Sequence, residues 1–247
     1  MTGQAGYAER ASWYPAEISA VPVPALLAGL LRPGLAVTEM PSGTGHFLPA
    51  YSCARASITL ADASPQMLTA AQAQAFRSGT AVATVCDMIE DLPGRTGPFG
   101  LIVTPNGALN QLAAAAPPGR LLTAVARLLL PDGFFLAQVL SPDAACGFYD
   151  PGLADGDWKE DRQFPGRDGV PVSRRRCQHH EGDVVRIDFE LRSGGQVVHR
   201  QQVALKMMTA GEAHAVLAGA GLRVLQCRPG PGGFTEILCA RQLGRPQ

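Results

Sequence analysis

The chain has 247 residues, 46% of them hydrophobic and 17% charged, with 21 Lys+Arg balancing 21 Asp+Glu for a formal net charge of zero. That composition fits one globular domain, or one domain with an insertion, and excludes intrinsic disorder. A neutral chain has no electrostatic footprint for nucleic acid or an acidic membrane surface, and the one basic run, Arg174-Arg175-Arg176, is too short to create one.

Leu35–Met40 reads as a first strand, followed by a glycine turn at Ser42–Gly45 and a helix over His46–Cys53. Ala56–Ala61 is a second β-rich run ending at Asp62. Ser64 is a candidate N-cap with Pro65 at the first helical position, opening a helix to about Phe76. Thr80–Val85 is a third strand ending at Asp87, and Phe99–Thr104 a fourth. Gly119–Leu130 is a strongly apolar helix closed by Pro131-Asp132-Gly133, and Phe134–Val139 a fifth strand. Residues 143–171 read as a long loop rich in Gly, Asp and Pro. Across 172–206 the pattern turns antiparallel: Val184–Leu191 alternates, and Gly194-Gly195 stands where a hairpin turn belongs. Thr209 with Glu212 forms a capping box for a helix through Leu217. Leu222–Gln226 and Thr235–Ala240 would close the sheet.

Strands alternating with helices imply βαβ units and a parallel sheet buried on both faces. The expected fold is α/β: a Rossmann-like, doubly wound, mostly parallel seven-stranded sheet carrying an antiparallel β insertion. In such sheets ligands bind at the carboxyl ends of the strands. Glu39, Asp62, Asp87 and Asn106 all fall at or just past predicted strand ends.

The six cysteines include no C-x-x-C pair, so no zinc or redox motif is expected. They read as free thiols in a cytoplasmic protein. The first 15 residues lack the apolar segment of a signal peptide, and no apolar run reaches the roughly 18–20 residues of a membrane span.

The glycine turn lets the backbone approach a ligand closely, at a helix N-terminus with partial positive charge. Asp62 follows it by about 20 residues, where a carboxylate can accept from both hydroxyls of a ribose. Asp87 ends the next strand, where it can meet an adenine amino group. The run Val37-Thr-Glu-Met-Pro-Ser-Gly-Thr-Gly45 resembles motif I of class I S-adenosylmethionine (SAM)-dependent methyltransferases. Ala61-Asp62-Ala63-Ser-Pro-Gln-Met67-Leu68 is similar to their second motif and Cys86-Asp87-Met88 to their third. Phe99 to Gln111 resembles the fourth, and Leu130 to Phe135 the turn before the fifth strand. The resemblance spans about residues 35–240. A dehydrogenase would want G-x-G-x-x-G, and Gly43-Thr-Gly45-His-Phe-Leu48 lacks the last glycine.

The resemblance implies SAM as cofactor. It assigns Glu39 to the methionyl ammonium end, and Ser42, Gly43, Thr44 and Gly45 to the backbone cradle. Asp62 and Ala63 fall to the ribose, and Met67, Asp87 and Met88 to the adenine. Pro105, Asn106 and Gln111 border the reactive end. Tyr7, Trp13 and Tyr14 resemble the aromatics of an N-terminal lid over a small acceptor. Two positions depart from the family: Pro41 replaces the first motif I glycine, and Gly100 stands where an Asp often begins the fourth strand.

One domain is expected, with residues 1–34 as a helical lid, 35–140 as the cofactor-binding core, 141–206 as a loop and β-hairpin insertion, and 207–247 as the closing helix and strands. Candidate general bases are His46, Tyr149, His179 and His180, with Asn106 orienting the acceptor or the methionyl arm. The 143–171 loop and the first ~20 residues are expected to close over the site. Methyl transfer to N or O of a small molecule in specialised metabolism is the leading expectation, in a monomer or homodimer. A SAM-consuming cyclase or lyase that forms a small cyclic amino acid and methylthioadenosine is the alternative, and a SAM-binding sensor is a third reading.

Overall fold

The computed structural model describes residues 13, 22–166 and 169–242. In chain order they form α1 (Ala25–Leu30), β1 (Ala36–Glu39), α2 (Leu48–Cys53), β2 (Ser57–Asp62), α3 (Pro65–Arg77), β3 (Ala83–Cys86), β4 (Phe99–Thr104), α4 (Ala108–Ala115), α5 (Gly119–Leu128) and β5 (Leu129–Val139). Four further strands follow: β6 (Trp158–Pro165), β7 (Pro171–Glu181), β8 (Val184–Ser193) and β9 (Gln196–Lys206). The described residues end with α6 (Ala210–Gly219), β10 (Leu222–Pro229) and β11 (Thr235–Arg241). The expected lid aromatics Tyr7 and Tyr14 lie outside the described residues.

Seven strands form one sheet in the order β10-β11-β5-β4-β1-β2-β3. β1 through β5 pair in parallel, whereas β11 runs antiparallel to both β5 and β10. The fold is therefore the doubly wound α/β sheet that the alternation predicts. The chain reverses direction across the sheet at β1, the topological switch point where such folds bind ligands.

Each face of this sheet is buried in its own apolar cluster. One joins Val37, Leu60, Leu101 and Leu136 to Leu27 of α1, Tyr51 of α2 and Ala71 of α3. The other joins Ile102, Phe135 and Ile237 to Leu122 and Val125 of α5 and Leu217 of α6. Two-sided burial explains why the parallel strands read as nearly continuous apolar runs.

The local signals act as their chemistry dictates. The Ser64 hydroxyl accepts from the Met67 amide at 3.3 Å with Pro65 in the first turn. Thr209 and Glu212 form both bonds of the capping box. Gly194 and Gly195 both have positive φ, as the β8–β9 turn requires. The departure at Gly100 has a packing cause, since a Cβ there would come within 2.7 Å of Leu35 Cδ1.

Two elements differ from the reading of the sequence. The long loop expected over 143–171 contains β6, an edge strand whose residues are exposed except Asp161 and Phe164. Its alternation is hidden by charge, which suits an unpaired sheet edge. β5 starts at Leu129, ahead of the expected Phe134, because the Pro131-Asp132-Gly133 turn is absorbed into the strand. Gly133 is needed there, since a Cβ would meet the Phe99 carbonyl oxygen at 2.8 Å.

The insertion, β6-β7-β8-β9, forms a separate antiparallel sheet. Its inner face packs Val185, Ile187, Phe189, Val203 and Leu205 against Leu140 and Phe234 of the core side and Tyr149 of the segment that precedes β6. Asn110 of α4 joins the two sheets. Its amide donates to the carbonyls of Leu140 and Lys206, and its carbonyl accepts from the Leu140 amide.

Candidate active site

Glu39, Asp62, Asp87 and Asn106 stand at or just past the carboxyl ends of β1, β2, β3 and β4. These strands are neighbours in the order β4-β1-β2-β3, so the four residues form a row along one sheet edge.

Gly43 and Gly45 both adopt positive φ, 52° and 86°, which bends the chain sharply after β1. The turn is held from two sides. The Gly43 amide donates to Asp62 Oδ2 at 2.8 Å, and the Ser42 amide donates to the Ala61 carbonyl at 2.8 Å. Asp62 Oδ1 also accepts from the Ser64 amide at 2.9 Å, so one half-buried carboxylate ties the glycine turn to the start of α3. Burial pushes the Asp62 carboxyl above its ordinary range, against the pull of the Ser64 and Gly43 amides.

Glu39 is fully buried. Its carboxylate accepts from the His46 amide at 2.5 Å, the Phe47 amide at 3.0 Å and the Tyr51 hydroxyl at 2.8 Å. The residue that the resemblance places at the methionyl ammonium thus braces the entry to α2 in this structure. Burial raises its pKa from 4.5 to about 7, although all three donors favour the charged form. His46 follows the turn, and burial lowers its imidazole from 6.5 to about 4. Its ring meets Phe47 edge-on at 4.7 Å. A neutral imidazole of such low basicity is poorly matched to general-base work near neutral pH.

Asp87 lies half-buried at the third strand end, paired with Arg95 and accepting from the Met88 amide at 2.9 Å. Met88 is exposed beside it, whereas Met67 is buried in the first turn of α3. Ser42 and Thr44 are buried within the turn. Thr104 at the end of β4 donates its hydroxyl to the Met40 carbonyl at 2.8 Å, which fixes the β4 end against β1.

Residues 37–133 match the protein family described as a methyltransferase domain. That stretch is similar to a methyltransferase domain. Among solved structures, the chain is similar to the CcbJ methyltransferase of Streptomyces caelestis, at 16% identity and a TM-score of 0.77, covering 96% of this chain and 98% of that one. The sugar N-methyltransferase KedS8 of Streptoalloteichus sp. ATCC 53650 matches at 20% identity and TM-score 0.65, over 98% and 89% of the two chains. A 1,6-didemethyltoxoflavin-N1-methyltransferase of Burkholderia thailandensis, solved with S-adenosylhomocysteine, matches at 16% and 0.54, over 97% and 84%. At these identities the likeness concerns the fold. No curated protein matches the chain.

The Asn106-Gly107 turn follows β4 with φ of 54° and 67°. The Asn106 amide donates to Gln138 Oε1 at 2.9 Å, and the Gly107 amide to the Gln138 carbonyl at 3.1 Å. Pro105 is buried, and Ala63 and Gln111 are half-buried. Gln138, near the end of β5, therefore sets the turn bearing Asn106. The sequence reading missed Gln138, Tyr51 and Asn110, which lie inside apolar runs and show their role only through their partners.

Tyr149 is buried on the insertion side and donates its hydroxyl to the Pro142 carbonyl at 2.9 Å. The candidate base is thus an anchor within its own loop. Arg174, Arg176 and Gln178 of β7 donate to the carbonyls of Gly147, Phe148, Asp150 and Leu153. The segment expected as a closing lid is stapled to the insertion sheet at those points. His179 stands between Asp155 and Asp188, at 3.6 and 3.7 Å, and the His180 amide donates to Asp155. Neither joins the row at the sheet edge. Trp13 packs beside Phe164, Val172 and Leu191 of the insertion.

No helix among the described residues is long and apolar enough to cross a membrane. No group of three or more His, Cys, Asp or Glu side chains among them could hold a metal ion.

Proposed function

We propose that this chain binds SAM along the β4-β1-β2-β3 edge and transfers its methyl group to N or O of a small molecule in specialised metabolism. The observation that carries the reading is Asp62. It is a half-buried carboxylate at the second strand end, and it already organises both the glycine turn and the first turn of α3. The residues present fit the cofactor. Gly43 and Gly45 bring bare backbone to the edge, Asp62 offers a carboxylate for ribose hydroxyls, and Asp87 with exposed Met88 flanks an adenine position. SAM supplies an electrophilic methyl carbon. The chain supplies alignment, with Asn106 held by Gln138 at the end of β4. The neutral charge and the roofing insertion favour a small acceptor over nucleic acid. We also assign the protein to the cytoplasm, as a monomer or homodimer.

The test is calorimetric SAM binding to wild type and Asp62→Ala, with product analysis. The variant should lose about 1–3 kcal/mol of SAM affinity, because charge-assisted hydrogen bonds disappear. S-adenosylhomocysteine should form only when an acceptor is present. Unchanged affinity would remove Asp62 from the site, and methylthioadenosine from SAM alone would replace the transferase with a cyclase or lyase.

A further inference from the structure

At the same sheet edge, on the side away from the cofactor row, one buried carboxyl has an oxygen without a partner among the described residues. Glu236 is the second residue of β11 and is 1% exposed. It pairs across the antiparallel β5–β11 ladder with Gln138, so the two side chains share one face of the sheet. Gln138 in turn accepts from the Asn106 amide. Asn106 just past β4, Gln138 of β5 and Glu236 of β11 thus belong to three neighbouring strands and continue the polar row beyond the point where the reactive end belongs.

Glu236 is incompletely satisfied. Oε2 accepts from Arg228 Nε of β10 at 3.4 Å, a long contact to a side chain that is 40% exposed. Oε1 has no hydrogen-bond partner among the described residues. A buried carboxyl oxygen without a donor is costly. The surroundings are built around the group. Gly230 lies over it, where a Cβ would come within 2.5 Å of both Glu236 Cγ and Oε1. Burial raises the carboxyl above its ordinary range against the pull of the Arg228 guanidinium and the Leu26 amide of α1.

We propose that Glu236 is the acceptor-side carboxylate of this site and that the acceptor it selects is an amine. This rests on the methyltransferase reading above. The Glu236 carboxylate binds the acceptor's ammonium through Oε1 and takes one N–H proton. The ammonium becomes a neutral amine with its lone pair free, and the carboxylate becomes a carboxylic acid. An alcohol offers no positive charge to such a group, so the same residue discriminates against hydroxyl acceptors. Proton transfer is eased when the carboxyl sits above its ordinary pKa, because the gap to an amine narrows.

The experiment is a pH titration of the Glu236 side-chain carboxyl by carbon NMR in the protein saturated with S-adenosylhomocysteine. The signal is assigned by its absence in Glu236→Gln. Methylammonium is the probe, with methanol and sodium chloride at matched concentration as controls. Methylammonium should lower the midpoint by roughly one pH unit or more, and neither control should do so. A midpoint that methylammonium leaves in place, or that sodium moves equally, overturns the proposal. Should Glu236→Gln fail to fold, Glu236→Asp supplies the assignment by its changed shift, and the same criterion applies. Calorimetric binding of S-adenosylhomocysteine is measured first. Its absence counts against the methyltransferase reading, whereas normal binding with an unresponsive carboxyl counts against the Glu236 assignment alone.

Discussion

The carboxyl edge of the core sheet and the insertion sheet both bury charge, and they do so differently. At the edge, Asp62 and Glu39 are held mainly by backbone donors: Asp62 by the Gly43 and Ser64 amides, and Glu39 by the His46 and Phe47 amides with one tyrosine, whereas Asp87 pairs with Arg95. Among the described residues no basic side chain pairs with Asp62 or Glu39. In the insertion, Asp161 on β6 sits between Arg174 and Arg176 of β7, at 2.8 and 3.0 Å, with all three side chains nearly inaccessible. Glu190 on β8 likewise meets Arg192 and Arg200. A carboxylate held by amides keeps no counter-charge beside it, whereas one enclosed by guanidinium groups has its charge already matched within the fold. This contrast accords with the proposed function, in which the core edge carries the chemistry and the insertion supports it.

The sharpest way to break that contrast is to remove Asp161. Asp161→Ala leaves two arginines buried without a counter-charge, and losing one partner of such a cluster costs about 3–5 kcal/mol. Chemical denaturation should show a loss of that size, while calorimetric SAM affinity in the folded protein stays within error of wild type. A loss below about 1 kcal/mol would mean that the arginines reach water without their partner, and the contrast would fail.

This contrast was only half legible in the sequence. The core was readable because local and global signals agree there. Strand ends carry Glu39, Asp62, Asp87 and Asn106, and Ser64-Pro65 and Thr209 mark helix starts. The insertion was readable where apolar residues alternate and Gly194-Gly195 turns. It was not readable over β6, where charged residues face water and the single inward ion, Asp161, looks like any surface acid. The triple Arg174-Arg175-Arg176 shows the same limit. Alternation sends Arg174 and Arg176 inward to Asp161 and leaves Arg175 against the Trp158 ring at 4.5 Å, so a run that reads as a solvated strand edge is two-thirds interior. Among the site residues, sequence spacing located the row but not the partners. Nothing in Tyr51 or Gln138 reveals which carboxylate or amide it will meet until the sheet brings them together.

A second test separates two opposed titrations at the core edge. Glu39 is raised from 4.5 to about 7, so the folded state holds its proton more tightly than the unfolded chain. Its contribution to stability is full below about pH 4.5 and is lost as pH rises towards 7. His46 is lowered from 6.5 to about 4, so the unfolded chain binds the proton more tightly there. Its contribution is full above about pH 6.5 and is lost as pH falls towards 4. The two slopes oppose each other across the same window. Thermal melts of wild type between those limits should therefore show a weak net dependence from this pair. Glu39→Gln should expose a stability that rises with pH, and His46→Gln one that falls with pH. Parallel profiles for the two variants would show that neither group is desolvated as the structure places it.

The smallest expected effect concerns Tyr149, which lies at the boundary of the two regions. Its ring is buried with Val185, Ile187 and Phe234, and its hydroxyl donates to the Pro142 carbonyl within the segment that leaves β5. Burial pushes the phenol above its ordinary range, with Asp143 and Cys146 adding to the rise, so it stays protonated at neutral pH. A protonated phenol whose hydrogen is already donated has no basic electron pair to offer at that pH. Tyr149→Phe removes one neutral hydrogen bond and leaves the Pro142 carbonyl to find another donor, which costs about 0.5–1.5 kcal/mol of stability. The pH profile of kcat/KM should keep both limbs where wild type has them. If Tyr149 acted instead as the general base, the variant would lose the basic group outright. The profile would then change shape and kcat would fall by about two to four orders of magnitude, far beyond what a 1 kcal/mol loosening of the loop can produce.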